Sequence, residues 1–307
     1  MGCVRGSGAV TAYLLGRREV LRMVDAVILA GGRIPDSEAG FRDAVGVPCK
    51  SLIDLEGRIM VGHVVAALRA ASGIGRIVVV GPAELQGHPD LLEADRVLPE
   101  AEGRSENLYA ALDALGDARR VIMCTSDTPL VLPHMVDDAL HALPVRVDLG
   151  YVLVPYRRAM ERFADRPPPP PDHRGRQLPS WVSVRLRDGR FTGTACMVCS
   201  PEAAHSMRRI LKGVFDDREM GNVLRVLRPV LGLPLLLRIG LALRCPALGP
   251  LISVKGLEQR LSRGLGLTGR AYVSPYAELA FDVDHLGDLP IAQRELRKYR
   301  DQGVLPV

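Results

Sequence analysis

Two adjacent glycines, Gly31 and Gly32, follow directly on a short apolar run and could hold a phosphate group. Glycines at the end of a buried strand let the backbone approach a ligand closely and leave N–H groups to bind its oxygens. The pattern is neither GxGxxG nor GxxxxGK[ST], which disfavours ordinary dinucleotide binding and the common phosphate-loop fold. The pair therefore indicates a phosphate-binding turn of another kind.

A lysine, Lys50, opens the next apolar segment after a variable loop. The chain has only four lysines among its 40 basic residues, namely Lys50, Lys212, Lys255 and Lys298. A fixed positive charge close to the glycine turn would favour a triphosphate and a departing pyrophosphate. The alternative is a solvated surface lysine with no role in chemistry.

The elements that must position these residues alternate between short apolar runs and amphipathic stretches of helical length. This alternation predicts a parallel sheet covered by helices on both faces. We predict strands at 25–30, 76–81, 120–125 and 149–155, helices at 60–71, 106–115, 133–143 and 289–299, a hairpin at 181–198, and strand-like pieces at 52–55, 271–273 and 279–283.

Three motifs occur in an order that resembles a known family. Leu29–Gly32 precedes the loop that leads to Lys50, Ser126–Leu130 ends the third strand, and Phe281–Leu289 reads Asp-x-Asp-x-x-x-Asp-Leu. Together they resemble the MobA-like NTP transferases, which are nucleotidyltransferases with a GT-A glycosyltransferase-like fold. The resemblance implies a three-layer α/β/α, Rossmann-like mixed sheet with a helical and hairpin insert.

The resemblance also implies a domain organisation, with good agreement over 24–140 and again over 271–296. The expected organisation is an N-terminal extension at 1–22 and a single nucleotidyltransferase domain at 23–307, with a nucleotide-binding half at 23–147, an acceptor-binding half at 148–307, a Pro-rich loop at 164–179 and a basic apolar insert at 205–265.

In this family the aspartate of the middle motif binds a divalent metal, which implies that Asp127 binds Mg²⁺. Asp284 would be the second ligand, with Asp282 as its nearest competitor, and strand alternation predicts that only one of these two points into the site. Magnesium prefers one or two carboxylates together with phosphate oxygens and water. Lys50 and Asp127 are the expected catalytic residues.

The segment 99–108 resembles the part of the family that contacts the base. The Gly103 backbone and the Asn107 amide would then read the base, whereas Ser105 could instead only cap the following helix. Arg33 and Arg42 are candidates for clamping phosphates. The expected nucleotide-binding residues are Leu29, Ala30, Gly31, Gly32, Arg33, Lys50, Gly103, Asn107 and Ser126.

Composition excludes several classes of protein. The 307 residues are 47% hydrophobic and 24% charged, which excludes a mainly disordered chain, and only 13 are aromatic, which argues against stacking on single-stranded nucleic acid. The net charge of +5 divides into +8 over residues 205–270 and −3 elsewhere. This distribution favours a local anionic partner over a nucleic acid, and the acceptor phosphate is expected at Arg208, Arg209, Arg225 and Arg228.

The stretch 225–254 has two interpretations. It is too interrupted by arginine for a transmembrane span, so it is either a helical lid or subunit contact, or an interfacial element that contacts an anionic membrane surface. Six scattered cysteines favour a reducing, cytoplasmic location. Cys196 and Cys199 form a lone CxxC, which a strand explains better than a zinc site.

The function expected from these observations is Mg²⁺-dependent transfer of a nucleoside monophosphate from a nucleoside triphosphate to a phosphorylated small-molecule acceptor, with release of pyrophosphate. The acceptor would be a sugar phosphate, a polyol phosphate or a related compound, and the protein a monomer or homodimer. The alternatives are a catalytically idle nucleotide-binding regulatory subunit, a molybdopterin nucleotidyltransferase, and glycosyl transfer from a nucleotide sugar.

Overall fold

A mixed β-sheet lies at the centre of the computed structural model, which describes residues 24–35, 38–171, 175, 177, 179–215, 228, 232, 233 and 252–305. Within these residues the sheet has eight strands in the order β10-β7-β9-β6-β1-β4-β5, with β8 paired to β9. The strands of this sheet are β1 (Val24–Leu29), β4 (Ile74–Gly81), β5 (Arg96–Pro99), β6 (Val121–Thr125), β7 (Leu149–Pro155), β8 (Ser183–Leu186), β9 (Gly189–Cys199) and β10 (Gly269–Val273), and β2 (Asp54–Leu55) and β3 (Arg58–Ile59) form a separate two-stranded ribbon.

The pairing changes direction at β9. Strands β6, β1, β4 and β5 are parallel, whereas β9 runs antiparallel to both β6 and β7, and β10 is parallel to β7. Leu29, the last residue of β1, is in register with Val80 and with Thr125. The carboxyl ends of these three strands therefore lie at one edge of the sheet, which is where ligands bind in open α/β sheets.

Helices cover both faces of the sheet because alternate strand residues feed two separate cores. In β1, Ala26 and Ile28 belong to one hydrophobic cluster and Val27 to the other. The result is the three-layer α/β arrangement that the sequence predicts. The helices are α1 (Ala39–Val45), α2 (Met60–Ala70), α3 (Arg104–Leu115), α4 (Pro133–Ala142), α5 (Tyr156–Arg162), α6 (Pro201–Ser206), α7 (Arg208–Phe215), α8 (Val254–Leu265) and α9 (Leu289–Asp301).

The predicted strand at 279–283 is wrong. Ala277–Ala280 form a 3₁₀ turn and the chain then continues without regular structure to residue 285. The backbone of this segment bonds to other partners: the Val283 N–H donates to the Asp127 carbonyl at 2.8 Å. The prediction at 52–55 is wrong in part, because Lys50–Leu52 form a 3₁₀ turn before the short strand β2 begins.

The hairpin prediction is confirmed by the antiparallel pair β8 and β9. Both CxxC cysteines lie in β9 with buried side chains, and the Cys196 sulfur lies 3.6 Å from that of Cys124. The N-terminal extension and most of the segment 225–254 lie outside the described residues, so the two interpretations of that segment stay predictions. Among the helices in the described ranges, none combines the length and the apolar content needed to cross a bilayer.

Candidate active site

A cleft of about 770 Å³ opens at the edge of the sheet where β1 and β6 end. The loops after these two strands form one wall, and the segment that follows the 277–280 turn forms another. Most of the expected site residues line this cleft, namely Leu29, Ala30, Gly31, Gly32, Arg33, Lys50, Asn107, Ser126, Asp127 and Asp284. The fold thus brings together residues that lie up to 255 positions apart in the sequence.

The glycine turn needs both of its glycines. Gly32 has a φ of +104°, a backbone conformation that residues with a side chain rarely adopt. A Cβ atom on Gly31 would lie only 2.7 Å from the Asn107 amide nitrogen and 2.9 Å from a Glu100 carboxylate oxygen. The Gly32 N–H donates to that same carboxylate at 2.9 Å. The turn therefore presents its backbone N–H to an oxygen anion, as a phosphate-binding turn must.

Asp127 follows β6 and faces the cleft. Burial and, after it, the negative charge of Asp284 raise the pKa of Asp127 above its usual range, although Lys50 and a hydrogen bond from the Thr125 hydroxyl oppose the shift. Because its carbonyl also accepts the hydrogen bond from Val283, Asp127 is fixed to the segment that carries the other two carboxylates.

Lys50 and Asp284 form the closest charge pair of the cleft. The Lys50 ammonium donates to the Asp284 carbonyl at 3.0 Å and to its carboxylate at 3.1 Å. Burial would raise the pKa of Asp284, but the charge of Lys50 outweighs it and the pKa is lowered. Lys50 is thus held inside the cleft by the carboxylate from the far end of the chain.

Asp282 also lines the cleft, so the expectation that only one of Asp282 and Asp284 faces the site is wrong. Residues two positions apart share one face of a strand, so alternation could not have separated Asp282 from Asp284, and the segment is in any case not a strand. Burial, together with the charges of Asp284 and Asp127, raises the pKa of Asp282 to about 7. Three mutually repelling carboxylates therefore share one cleft.

Arg166 and Asp288 hold the acidic segment in place, and neither was among the predicted site residues. The buried Arg166 guanidinium donates to Asp288 at 2.8 Å and to the Asp282 carboxylate at 3.0 Å, and it lies 4.4 Å from the centre of the Trp181 ring. Asp288 in turn accepts the backbone N–H groups of Asp284 and His285, both at 2.9 Å. The third aspartate of the Asp-x-Asp-x-x-x-Asp-Leu motif was a signal for Asp288, whereas no spacing in the sequence pointed to Arg166.

The carboxylates fit a magnesium ion that is also bound by substrate. In the described part of the chain, no group of three or more His, Cys, Asp or Glu residues is placed to hold one ion by itself. Burial and, after it, the charges of neighbouring carboxylates nevertheless raise the pKa values of Asp127 and Asp282. Such a donor set suits an ion that takes one or two carboxylates and completes its shell with phosphate oxygens and water.

The segment expected to read the base lies beside the glycine turn. The Asn107 side-chain oxygen accepts the Ala101 N–H at 2.6 Å, which leaves its amide nitrogen directed at Gly31. Gly103 is the N-cap of α3 with a φ of +108° and does not line the cleft. The cap position belongs to Gly103, so the alternative in which Ser105 caps the helix is wrong. Arg104, which was not predicted, does line the cleft.

The arginine candidates differ in position. Arg33 lines the cleft and pairs with Glu84 at 2.9 Å, while Arg42 lies in α1 and is not among the residues that line the cleft. Arg208, expected to meet the acceptor phosphate, pairs with Glu106 at 2.7 Å, outside the lining of the cleft. Arg225 lies outside the described residues.

A second cavity, of about 650 Å³, adjoins the cleft. The two share Tyr151, Gly193, Ala280, Asp282 and Asp284 in their linings. Trp181, Phe191 and three prolines contribute apolar surface to the second cavity, and its remaining lining includes the polar residues Arg166, Ser183 and His285.

Comparison with known proteins gives a consistent result. Residues 26–161 match the family model described as the MobA-like NTP transferase domain. The chain is 37% identical over 123 residues to the bifunctional protein GlmU of Xanthobacter autotrophicus. The aligned region covers 37% of this chain and 25% of GlmU. The chain is also 34% identical over 125 residues to 2-C-methyl-D-erythritol 4-phosphate cytidylyltransferase of Cereibacter sphaeroides. That aligned region covers 38% of this chain and 52% of the Cereibacter enzyme. The chain thus spans about half or less of the length of these curated relatives.

Among solved structures, a hypothetical transferase from Thermus thermophilus superposes with a TM-score of 0.65 and 29% sequence identity. The superposition covers 87% of this chain and 99% of the Thermus chain. The similarity in structure therefore continues well beyond the part that the family model matches.

Proposed function

Because residues 26–161 form a MobA-like NTP transferase domain, we propose that this chain transfers a nucleoside monophosphate from a nucleoside triphosphate to a phosphorylated small-molecule acceptor, releasing pyrophosphate. One observation carries the proposal. The glycine turn, Lys50 and the carboxylates Asp127, Asp282 and Asp284 come from distant positions in the chain and line the same cleft.

In this reaction an oxygen of the acceptor phosphate attacks the α-phosphorus of the triphosphate. A new oxygen–phosphorus bond forms, the bond from the α-phosphorus to the bridging oxygen breaks, and pyrophosphate leaves with that oxygen. Both reactants are polyanions, so the barrier is mainly electrostatic and falls when fixed positive charge is close to the phosphates.

The chain supplies this positive charge in two ways. The Gly32 N–H of the glycine turn donates to a carboxylate oxygen of Glu100 at 2.9 Å, and a phosphate oxygen would take the same kind of hydrogen bond. Lys50 is the only lysine among the residues that line the cleft, and its ammonium is already held in place by Asp284. We assign it to the charge that develops on the departing pyrophosphate.

The carboxylates have the complementary role. Asp127 and Asp284, with Asp282 next to them, would hold Mg²⁺. When bound, the ion neutralises phosphate charge and orients the phosphate oxygens. The ion pair of Arg166 with Asp288 fixes the segment that carries Asp282 and Asp284, so that the carboxylates face the cleft before substrate arrives.

The test measures pyrophosphate release with each of the four nucleoside triphosphates and a panel of phosphorylated acceptors, with Mg²⁺ and with a chelator. We expect turnover with one nucleotide and one class of acceptor, abolished by the chelator and by Asp127→Ala. Asp113→Ala, at an exposed position of α3, is the matched control and should retain full turnover.

The opposite outcome is also informative. If the wild-type chain binds nucleotide in the presence of Mg²⁺ but releases no pyrophosphate with any pair, the proposed reaction is wrong. A chain with that behaviour would be an idle nucleotide-binding module instead. If it binds a nucleotide sugar and transfers the sugar, the proposal is equally overturned.

A further inference from the structure

A third cavity, of about 310 Å³, lies between helix α8 and the sheet. One wall is the apolar face of α8, formed by Val254, Leu257, Leu261 and Leu265. The spacing of these residues places them on one side of the helix. Val254 and Leu265 at the two ends of this face pack against hydrophobic clusters of the core, but no residue of α8 is fully buried, so the face is only partly covered.

The opposite wall is formed by strands. Leu149, Tyr151 and Leu153 alternate along β7 and so share one face, and Leu186 and Ala271 add apolar surface from β8 and β10. The volume falls within the range of about 300–1,000 Å³ that is typical of small-molecule sites.

The few polar side chains of this cavity are already engaged. The Glu258 carboxylate accepts the Ala271 N–H at 2.7 Å and lies 3.7 Å from Arg270, and the Ser262 hydroxyl accepts the Gly269 N–H at 2.9 Å. These side chains accept hydrogen bonds from the backbone N–H groups of β10 and do not form a polar cluster inside the cavity. A ligand that fills the cavity would therefore be apolar, because a polar one would find few partners there.

The cavity adjoins the candidate active site. Tyr151 lines all three cavities, and Leu153 and Val184 line both the second and the third. The second cavity also has Asp282 and Asp284 in its lining. The apolar space beneath α8 therefore lies next to the chamber that borders the carboxylates.

We propose that the acceptor is a phosphorylated amphiphile whose aliphatic chain occupies the cavity beneath α8 while its phosphate lies at the carboxylates. This inference rests on the proposed function for the role of the phosphate end. The lining of the second cavity agrees with it, since aromatic and proline side chains suit the first carbons of an alkyl chain better than the hydroxyl groups of a sugar.

The test compares the binding of n-butyl phosphate and n-dodecyl phosphate to the full chain by calorimetry in the presence of Mg²⁺, below the micellar concentration of the longer ester. We expect n-dodecyl phosphate to bind more than about ten-fold tighter, because each buried methylene adds to affinity. Leu261→Trp, which fills the cavity from α8, should reduce the affinity for the dodecyl ester to that of the butyl ester and leave the butyl ester unaffected.

Two further variants make the result decisive. Leu92→Trp introduces the same side chain at a position that is 82% exposed and lines none of the three cavities, and it should bind both esters like the wild type. Ala271→Leu narrows the same cavity from β10 and should repeat the effect of Leu261→Trp, which covers the case in which that variant does not fold. Equal affinities for the two esters, or wild-type affinity in both cavity variants, would overturn the inference.

Binding and turnover separate the two proposals. If the chain binds n-dodecyl phosphate in this way but releases no pyrophosphate with any nucleotide and acceptor, the enzymatic function fails and the apolar site stands. If it turns over water-soluble acceptors and does not distinguish the two esters, the enzymatic function stands and the amphiphilic acceptor is excluded.

Discussion

Two groups of carboxylates in this protein have opposite surroundings. In the cleft, Asp127, Asp282 and Asp284 lie close together with Lys50 and Arg166 as cationic hydrogen-bond partners, and burial, with the charges of Asp284 and Asp127, raises the pKa of Asp282 to about 7. In helix α9, by contrast, the fully buried Glu295 side chain has three cationic partners, which keep it ionised. Those partners are Arg162 at 2.6 Å, Arg294 at 2.9 Å and Lys298 at 2.9 Å.

The pKa of Glu295 reflects these cationic partners, although two of them also pair with other carboxylates, Arg162 with Glu278 and Arg294 with Asp165. Burial would raise the pKa of Glu295, but the hydrogen bonds from its three cationic partners outweigh burial and lower it to about 2. The comparison indicates that Glu295 stabilises the fold through its ion pairs, whereas the cleft carboxylates, which have fewer cationic partners, are candidates for binding a ligand that supplies positive charge.

The largest expected effect comes from replacing the lysine of the cleft, and the lysine beside Glu295 serves as its control. Lys50→Ala should lower turnover roughly a thousandfold, because it removes a fixed charge from the phosphates, and it should lower the melting temperature only modestly, because Asp284 loses its charge partner. Lys298→Ala removes a half-exposed partner of Glu295 and should leave turnover intact. Steady-state pyrophosphate release and thermal melting measure both, and full activity of Lys50→Ala would remove Lys50 from the mechanism.

The next effect is on stability alone. Glu295→Gln leaves three cations around a neutral side chain and should lower the free energy of unfolding by about 3 kcal/mol. Glu161→Gln breaks an exposed i,i+4 pair with Arg157 and should cost less than about 0.5 kcal/mol. Urea unfolding of the two variants checks this difference, and equal losses would mean that the buried network does not stabilise the fold.

A smaller effect of opposite sign is expected in the cleft. Asp127→Asn removes one of three repelling charges and should raise the free energy of unfolding by about 1 kcal/mol while abolishing turnover. The pKa of Asp282 should fall, since Asp127 is one of the charges that raise it. An NMR titration of the Asp282 carboxyl measures this shift, and an unchanged pKa would show that the two carboxylates do not interact.

The pH profile of stability also distinguishes the two groups, because they titrate in different pH ranges. The folded pKa of Asp282 is raised to about 7, so the fold should gain stability as the pH falls from 7.5 to 5 and this carboxyl takes up a proton. The folded pKa of Glu295 is depressed to about 2, so its contribution is present above about pH 4.5 and is lost as the pH falls toward 2. Asp282→Asn should flatten only the first part of the unfolding profile, and Glu295→Gln only the second.

The sequence was sufficient to predict the alternating strands and helices of the first half, because apolar residues are spaced differently in buried strands and in amphipathic helices. It also predicted which distant residues meet, since the glycine turn, Lys50, Asp127 and Asp284 all line the cleft. The function of these residues stays a prediction that the experiments above address.

Other features depend on contacts that no local pattern encodes. Leu279, Phe281 and Val283 alternate and are all at most 1% exposed, as in a strand, yet they pack into the core without a neighbouring strand to bond. The alternation of apolar residues therefore predicted their burial correctly, but it wrongly predicted that their backbone pairs with a neighbouring strand. Arg166 could not be predicted because its role depends on Asp282 and Asp288, more than 100 residues further along the chain.

The hydrogen bond from Val283 to Asp127 has a consequence for how the protein is made. The two residues are 156 positions apart, so at about 5–20 residues per second their synthesis is separated by roughly 8–30 s. Once residue 161 has been added, a growing chain contains all of residues 26–161 but still lacks Asp282 and Asp284. The ribosome therefore releases a protein whose cleft is completed only by the last part of the domain, and a prematurely terminated chain would carry the recognisable transferase sequence without the acidic cluster.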